Sequence, residues 1–156
     1  MITIIEGTDG VGKSTFADWL GLRTNTEVIH KGAPTQANWH AEYIEPLLGE
    51  GDLILDRWHL GEMIWPQYFN RNSLFENYSQ FRECNKLLDG LNAKLIIVYR
   101  DPADIIETLL QRGEDDQISI VLEAQMEYIN AYEHITDINT ELINSNDLRK
   151  EMANAH

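Results

Sequence analysis

A glycine-rich segment near the amino terminus has the residue pattern of a phosphate-binding loop. Residues 7–14 read Gly-Thr-Asp-Gly-Val-Gly-Lys-Ser and match G-x-x-x-x-G-K-[ST] in full. In this pattern backbone N–H groups surround phosphate oxygens, the lysine reaches the β- and γ-phosphates, and the hydroxyl contacts Mg²⁺. The segment predicts an ATP site with Ser14 as a metal ligand and Lys13 as a catalytic residue. The predicted ATP-binding residues are Asp9, Gly10, Val11, Gly12, Lys13, Ser14 and Thr15.

An acidic and a basic residue follow a short apolar run in the next informative segment. Asp56 and Arg57 come directly after Leu53-Ile54-Leu55, which has the pattern of a buried strand. A carboxylate there can accept a proton from an acceptor hydroxyl or hold the water shell of Mg²⁺, and a guanidinium can bind a phosphate or sugar oxygen. We predict Asp56 as a catalytic and metal-binding residue and Arg57 as an acceptor-binding residue. An ion pair that merely ends the strand is the structural alternative.

Aromatic residues are frequent immediately after this pair, between Trp58 and Phe69. Aromatic side chains can hold a flat base by stacking, which contributes about 1 to 3 kcal/mol per base. Trp58 adjoins the Asp-Arg pair and is the predicted base contact on the acceptor side. Ordinary core packing of Trp65, Tyr68 and Phe69 at helical spacing is the alternative.

A charged turn at residues 112–118 carries the third group of candidate residues, which begins Arg112-Gly113-Glu114. Phosphoryl transfer spreads negative charge over the equatorial oxygens, and one arginine placed there is worth roughly 10³ to 10⁵ in rate in related reactions. Arg112 is therefore a predicted catalytic residue on a lid. A helix that ends in an arginine, followed by a Gly113 cap, is the structural alternative.

Short apolar runs alternating with amphipathic segments must position these residues. Such alternation predicts an α/β fold of three layers, with helices on both faces of a five-stranded parallel sheet. Ligands of these folds bind beyond the carboxyl ends of the strands. Two helix starts are marked: a capping box at Ser73–Glu76 and Asp101 followed by Pro102. The predicted strands lie near residues 2–5, 26–30, 53–55, 95–99 and 141–143.

Length and charge limit the classes of function. The 156 residues fit one domain spanning residues 1–156, and the net charge of −14 is concentrated in residues 101–156, with 13 acidic and 3 basic side chains. This surface disfavours long nucleic acids as partners, while a few local cations can still form a phosphate site. No apolar run approaches the roughly 18 to 20 residues that cross a bilayer, and no signal peptide is evident, so we expect a cytoplasmic protein without a membrane partner.

The motifs together resemble the thymidylate kinase and deoxynucleoside kinase families of P-loop kinases, in particular the compact members encoded by bacteriophages. The resemblance rests on the loop at 7–15, Asp56-Arg57, and the lid at 112–118. It implies a P-loop NTPase fold with strand order 2-3-1-4-5, ATP and Mg²⁺ as cofactors, and contact of Asp9 with the acceptor sugar. The sequence leaves the oligomeric state open; members of these families often dimerise, and Trp39, Tyr43 and Leu47 or the helix near residues 74–91 are candidate faces for a homodimer.

Departures from the family pattern leave the acceptor open. His30-Lys31-Gly32-Ala33-Pro34 replaces the family's Glu-Pro-Gly-Gly, and Thr108 stands where a first lid arginine is usual, which leaves Arg112 and candidates such as Arg100 or Lys31. The leading hypothesis is phosphoryl transfer from ATP to a deoxynucleoside monophosphate, as in thymidylate kinases. The alternatives are a deoxynucleoside kinase, a kinase acting on a base within a nucleic acid, and a non-catalytic nucleotide-binding module.

Overall fold

A central parallel sheet organises the chain, whose computed structural model describes residues 1–8 and 10–155. The five strands are β1 (Ile2–Glu6), β2 (Glu27–His30), β3 (Leu53–Asp56), β4 (Ala93–Tyr99) and β5 (Asn139–Asn144). They pair in the order β2-β3-β1-β4-β5, and every pairing is parallel. The predicted strand order 2-3-1-4-5 is confirmed.

Helices cover both faces of this sheet. They are α1 (Lys13–Thr24), α2 (Trp39–Tyr43), α3 (Gly61–Ile64), α4 (Tyr78–Gly90), α5 (Pro102–Gln111), α6 (Ile118–His134) and α7 (Ser145–Asn154). One core layer joins the sheet to Phe16, Ile105 and Leu148 from α1, α5 and α7. The other contains Tyr43 and Phe81 from α2 and α4. The three-layer α/β fold is thereby confirmed.

The register of the strands brings four loop starts to one edge of the sheet. Ile5 pairs with Asp56 and Ile96, and His30 also pairs with Asp56. Because the strands are parallel, the segments that follow β1, β2, β3 and β4 leave the sheet at the same end. The phosphate-loop pattern after β1 therefore lies beside the Asp-Arg pair after β3.

The two predicted helix starts have different outcomes. Helix α5 begins as predicted, since the Asp101 side chain accepts a hydrogen bond from Ala103 N at 2.9 Å and Pro102 is the first helical residue. The prediction of a capping box at residues 73–76 is wrong, because α4 begins at Tyr78 after an Asn77 cap. The Ser73 hydroxyl instead donates to Glu62 O at 2.9 Å, so a tertiary partner takes the group that would have capped the helix.

Two residues of the candidate dimer face lie in the core. Tyr43 and Leu47 are each 2% exposed, which excludes both side chains from a surface contact. Their apolar neighbours, Phe75 among them, cover them within the domain. The alternative face on α4 stays a prediction, with Tyr78 and Leu87 partly exposed on it. No helix in the part of the chain that the structure describes is long and apolar enough to span a membrane.

Candidate functional site

The glycine-rich loop leaves β1 along the edge of the sheet and turns directly into α1. A Cβ atom on Gly7 would lie 2.6 Å from Val98 O on β4, so only glycine permits this close approach of the loop to the sheet. Gly12 has a φ of +84° and is the residue from which α1 begins. Backbone N–H groups at the start of a helix and the positive end of its dipole favour a bound phosphate. Asp9 lies outside the described residues.

Lys13, Ser14 and Asp56 meet at the junction of this loop and β3. The Ser14 hydroxyl donates to Asp56 Oδ2 at 2.6 Å, and Lys13 Nζ lies 4.0 Å from Asp56 Oδ1. Lys13 is 5% and Asp56 is 4% exposed, so the lysine ammonium and the carboxylate face each other largely out of water. The structure thus brings Asp56 next to Lys13 and Ser14, although Ser14 and Asp56 are 42 positions apart in the sequence.

The oxygen atoms in this cluster match the ligand preference of Mg²⁺. Mg²⁺ prefers oxygen ligands and is usually held by one or two carboxylates together with substrate phosphates. Asp56 Oδ1 is a buried carboxylate oxygen that has no hydrogen-bond partner among the described residues. Asp56 and the adjacent Ser14 hydroxyl therefore fit a metal bound to the phosphates of a nucleotide in the loop.

His30 contacts the same carboxylate from β2, a role that the sequence analysis did not identify. Its Nδ1 lies 2.7 Å from Asp56 Oδ2, and its Nε2 lies 2.9 Å from Asp18 Oδ1. The hydrogen bond to Asp56 is the main reason why the pKa of His30 is raised. The pairing of β2 with β3 brings His30 opposite Asp56. The predicted strand order, rather than a sequence motif, could therefore have identified His30 as a site residue.

A buried carboxylate shapes the turn that carries Arg57 and Trp58. Arg57 has a φ of +67°, which costs free energy in a residue with a side chain. Glu6 is fully buried, and its Oε2 accepts hydrogen bonds from Trp58 N at 3.2 Å and Gly61 N at 2.9 Å. Burial raises the pKa of Glu6. Glu6 thereby fixes the backbone after β3. This role cannot be predicted from the sequence, in which Glu6 is simply the last residue of a strand.

A cavity of about 430 Å³ opens next to this turn. Trp58 is only 5% exposed, and its Nε1 donates to Tyr43 O at 3.0 Å, so the indole belongs to the cavity wall rather than projecting into it. Trp65 and Phe69 also line the cavity, whereas Tyr68 donates a hydrogen bond from its hydroxyl to Glu127. The residues lining it are Lys31, Gly32, Ala33, Pro34, Tyr43, Arg57, Trp58, Gly61, Glu62, Trp65, Phe69 and Arg71.

Three cationic side chains line the cavity, of which sequence analysis singled out only Arg57 as an acceptor ligand. Arg71 makes two hydrogen bonds to the buried Glu62 carboxylate, at 2.8 and 3.0 Å. Lys31 forms an ion pair with Glu42 and lies 5.8 and 5.9 Å from the ring centres of Tyr43 and Trp58. Arg71 could not be assigned from sequence because it lies 14 residues after Arg57, beyond the motif.

The predicted lid is a compact turn between α5 and α6. Arg112 caps the end of α5 and is exposed, and Gly113 follows with a φ of +70°. Gly113 N donates to Leu110 O and Glu114 N to Leu109 O, the pattern of a glycine-capped helix end. The Gly113 helix cap, which was the structural alternative to a lid, is therefore present. A role of Arg112 in phosphoryl transfer stays a prediction.

Comparisons with known proteins reveal similarity in fold without similarity in sequence. No family model and no curated protein matches the chain. Among solved structures, the YorR protein of Bacillus subtilis, in complex with phosphorylated GDP, superposes with a TM-score of 0.75 at 20% identity, covering 99% of this chain and 92% of that one. The deoxyadenosine kinase of M. mycoides, with products dCMP and a flexible dCDP bound, gives 0.55 at 15% identity, covering 98% and 95%.

The strand order of the sheet, the phosphate-loop pattern and these two similar structures all indicate the same fold. The chain has the three-layer fold of these two proteins over nearly its whole length. At identities of 20% and 15% the likeness defines the fold, and the activity has to be argued from the residues at the sheet edge.

Proposed function

We propose that the protein is a kinase that transfers the γ-phosphoryl group of ATP to a deoxynucleoside monophosphate, with thymidylate as the leading candidate. The observation that carries this proposal is the meeting of Lys13, Ser14 and Asp56 beside the cavity that Arg57 lines. The cluster of Lys13, Ser14 and Asp56 suits a nucleoside triphosphate with its metal ion, and the cavity suits a flat, anionic acceptor.

The cavity supports a monophosphate through its donors. Lys31, Arg57 and Arg71 all line it, and guanidinium groups bind phosphate with paired hydrogen bonds. The aromatic side chains of Trp65 and Phe69 form the apolar part of the wall, against which a base can stack. The cavity is lined by Arg57 and Trp58, which directly follow Asp56, so an acceptor in it would lie near the carboxylate that contacts Ser14 of the phosphate loop.

The reaction needs little proton transfer with this acceptor. An oxygen of the acceptor phosphate attacks the γ-phosphorus of ATP, the bond from that phosphorus to the β–γ bridging oxygen breaks, and its electron pair leaves on ADP. The second pKa of a phosphate monoester is about 6, so the attacking oxygen is ionised at neutral pH without a general base. Mg²⁺ held by Ser14 and Asp56 would neutralise charge on the donor phosphates. The Lys13 ammonium would stabilise the negative charge on the phosphoryl group during its transfer.

The remaining predicted residues have roles that follow from the family resemblance. Asp9 would contact the acceptor sugar, and Arg112 would reach the transferring group when the turn at 112–118 closes over the nucleotides. Closure would exclude water and so suppress hydrolysis of ATP.

A deoxynucleoside is the second candidate acceptor. It is favoured by the neutralisation of two cavity cations, since Arg71 is paired with Glu62 and Lys31 with Glu42. With a hydroxyl acceptor Asp56 would have to accept a proton. The two candidates differ in this requirement and in the charge of the ligand.

An acceptor screen separates the two. Purified protein with ATP and Mg²⁺ is incubated with each deoxynucleoside and each deoxynucleoside monophosphate, and ADP release and product mass are measured. We expect turnover with a monophosphate and none in the variant Lys13→Ala, while Lys86→Ala, an exposed lysine on α4, serves as the matched control. Turnover with nucleosides alone would select the second candidate, and wild-type activity in Lys13→Ala would refute the kinase proposal.

A further inference from the structure

A buried arginine behind the phosphate loop is not explained by the transfer chemistry. Arg100 follows β4 and is 8% exposed. Its Nη1 donates to Gly10 O at 2.9 Å and to Thr108 Oγ1 at 2.7 Å. Gly10 belongs to the loop and Thr108 to α5, the helix that ends in the predicted lid. One guanidinium therefore joins the lid helix to the loop, whose Gly10 lies 90 positions before Arg100 in the sequence.

The main chain of Arg100 is held as firmly as its side chain. Gln125 on α6 accepts from Arg100 N at 3.0 Å and donates to Arg100 O at 2.8 Å. Gln125 is itself 5% exposed, so both hydrogen bonds are shielded from water. With its backbone fixed by α6, Arg100 offers its guanidinium to the loop from a constant position.

The hydrogen bond to Gly10 O also sets the direction of an N–H group. The carbonyl of Gly10 and the N–H of Val11 belong to one planar trans peptide, in which they point in opposite directions. A carbonyl turned toward Arg100 therefore aims Val11 N–H away from it. In phosphate loops such N–H groups bind phosphate oxygens, so the orientation of this peptide matters for the bound nucleotide.

We propose that Arg100 is a positioning residue that fixes the Gly10–Val11 peptide for phosphate binding and couples it to the lid helix through Thr108. The inference rests on the proposed function and deepens it, because it assigns the preformed shape of the donor site to a residue outside the loop. Arg100 acts through the loop and not by contact with the nucleotide.

The burial and the hydrogen bonds of Arg100 support this role. Burial is the main reason why the pKa of Arg100 is lowered; the nearby charges of Arg149 and Arg112 lower it further, whereas those of Asp104 and Glu107 raise it. Its two side-chain hydrogen bonds go to a carbonyl and a hydroxyl, and its Nε is buried without a hydrogen-bond partner in the described part of the chain. A buried guanidinium in such surroundings is costly, which is expected where function requires it.

Binding of a non-hydrolysable ATP analogue with Mg²⁺, measured by calorimetry without acceptor, tests the proposal. We expect Arg100→Gln to weaken binding about 10- to 100-fold, as for loss of a charged hydrogen bond. Arg149→Gln is the matched control: it removes a nearby positive charge but no hydrogen bond to the loop, and we expect a change below about threefold. In turnover assays, Arg100→Gln should raise KM for ATP and leave KM for the acceptor unchanged.

Several outcomes would overturn the proposal. Equal losses in Arg100→Gln and Arg149→Gln would mean that only charge matters, and an equal rise of both KM values would indicate a general structural effect. If Arg100→Gln does not fold, Arg100→Lys and Thr108→Val carry the test, and unchanged analogue affinity in both refutes the role. A wild-type protein that binds no nucleoside triphosphate would refute the proposed function instead.

Discussion

The Arg71 guanidinium lies against the Glu62 carboxylate on the wall of the cavity proposed to bind the acceptor, with two hydrogen bonds of 2.8 and 3.0 Å. If the acceptor is a monophosphate, Arg71→Gln should raise its KM about 10- to 100-fold, because a charge-assisted hydrogen bond to phosphate is lost. KM for ATP should stay the same. Steady-state kinetics with each substrate varied in turn measures both values, and Arg82→Gln, an arginine paired with Asp137, is the matched control.

Loss of Arg71 alone also leaves the buried Glu62 carboxylate without its cationic partner and with the Leu74 N–H as its remaining donor among the described residues, which destabilises the fold independently of binding. The double variant Glu62→Gln with Arg71→Gln removes this buried charge. We expect it to recover stability relative to the single variant while its acceptor KM stays high. An acceptor KM that returns to the wild-type value in the double variant would show that Arg71 serves only to neutralise Glu62.

His59 makes the stability of the fold dependent on pH. It is fully buried, its Nε2 lies 2.6 Å from Asn85 Oδ1, and burial lowers its pKa from 6.5 to about 4. Between pH 6.5 and about pH 4, His59 is protonated in the unfolded chain but stays neutral in the folded chain. The free energy of unfolding therefore contains the full contribution of neutral His59 above pH 6.5. It loses about 3 kcal/mol as the pH falls toward 4.

Urea unfolding at about pH 7 and about pH 4.5 measures this contribution. The variant His59→Gln lacks the titrating group, so its free energy of unfolding should fall less between the two pH values than that of the wild type. His134→Gln is the matched control, since His134 is exposed on α6. Equal acid sensitivity of the wild type and His59→Gln would show that other groups account for the loss.

At the scale of the elements, the approach of the phosphate loop to β4 depends on Gly7. The variant Gly7→Ala places a Cβ atom 2.6 Å from Val98 O at a φ of +153°. We expect it to lower the free energy of unfolding by about 2 to 4 kcal/mol, because both overpacking and backbone strain oppose the native loop. Gly51→Ala, with open space around its Cβ position, should change stability by less than about 1 kcal/mol. Similar unfolding curves for both variants would contradict the role of Gly7.

The elements that sequence analysis predicted best are those determined by local patterns. The apolar runs became strands because residues such as Ile4, Leu55 and Leu95 are covered on both faces of the sheet. The start of α4 was missed because Ser73 bonds to Glu62, a partner 11 residues away that no local rule includes. His30, Glu6 and Arg71 were missed as site residues for the same reason: each acquires its role from a neighbour brought near by the fold.

The whole molecule combines a strongly acidic surface with cations gathered at one edge of the sheet. Of the 12 lysines and arginines, Lys13, Lys31, Arg57, Arg71 and Arg100 lie at the loop or around the acceptor cavity. Nine of the 13 acidic side chains of residues 101–156 are exposed, and none of the 13 lines that cavity. Since screening acts over about 8 Å at physiological salt, carboxylates farther than this from a bound small ligand affect its binding little.

A long anion meets both regions at once, which leads to a prediction for the intact protein. An oligonucleotide of about 20 residues that enters the cavity must also pass over the acidic surface, and repulsion there grows as salt is lowered. At about 50 mM salt we expect no binding of fluorescent single-stranded DNA, whereas a mononucleotide with Mg²⁺ binds under the same conditions. Fluorescence anisotropy measures the former and calorimetry the latter. Tight binding of the oligonucleotide that weakens steeply with added salt would favour a kinase acting on nucleic acid over one acting on free nucleotides.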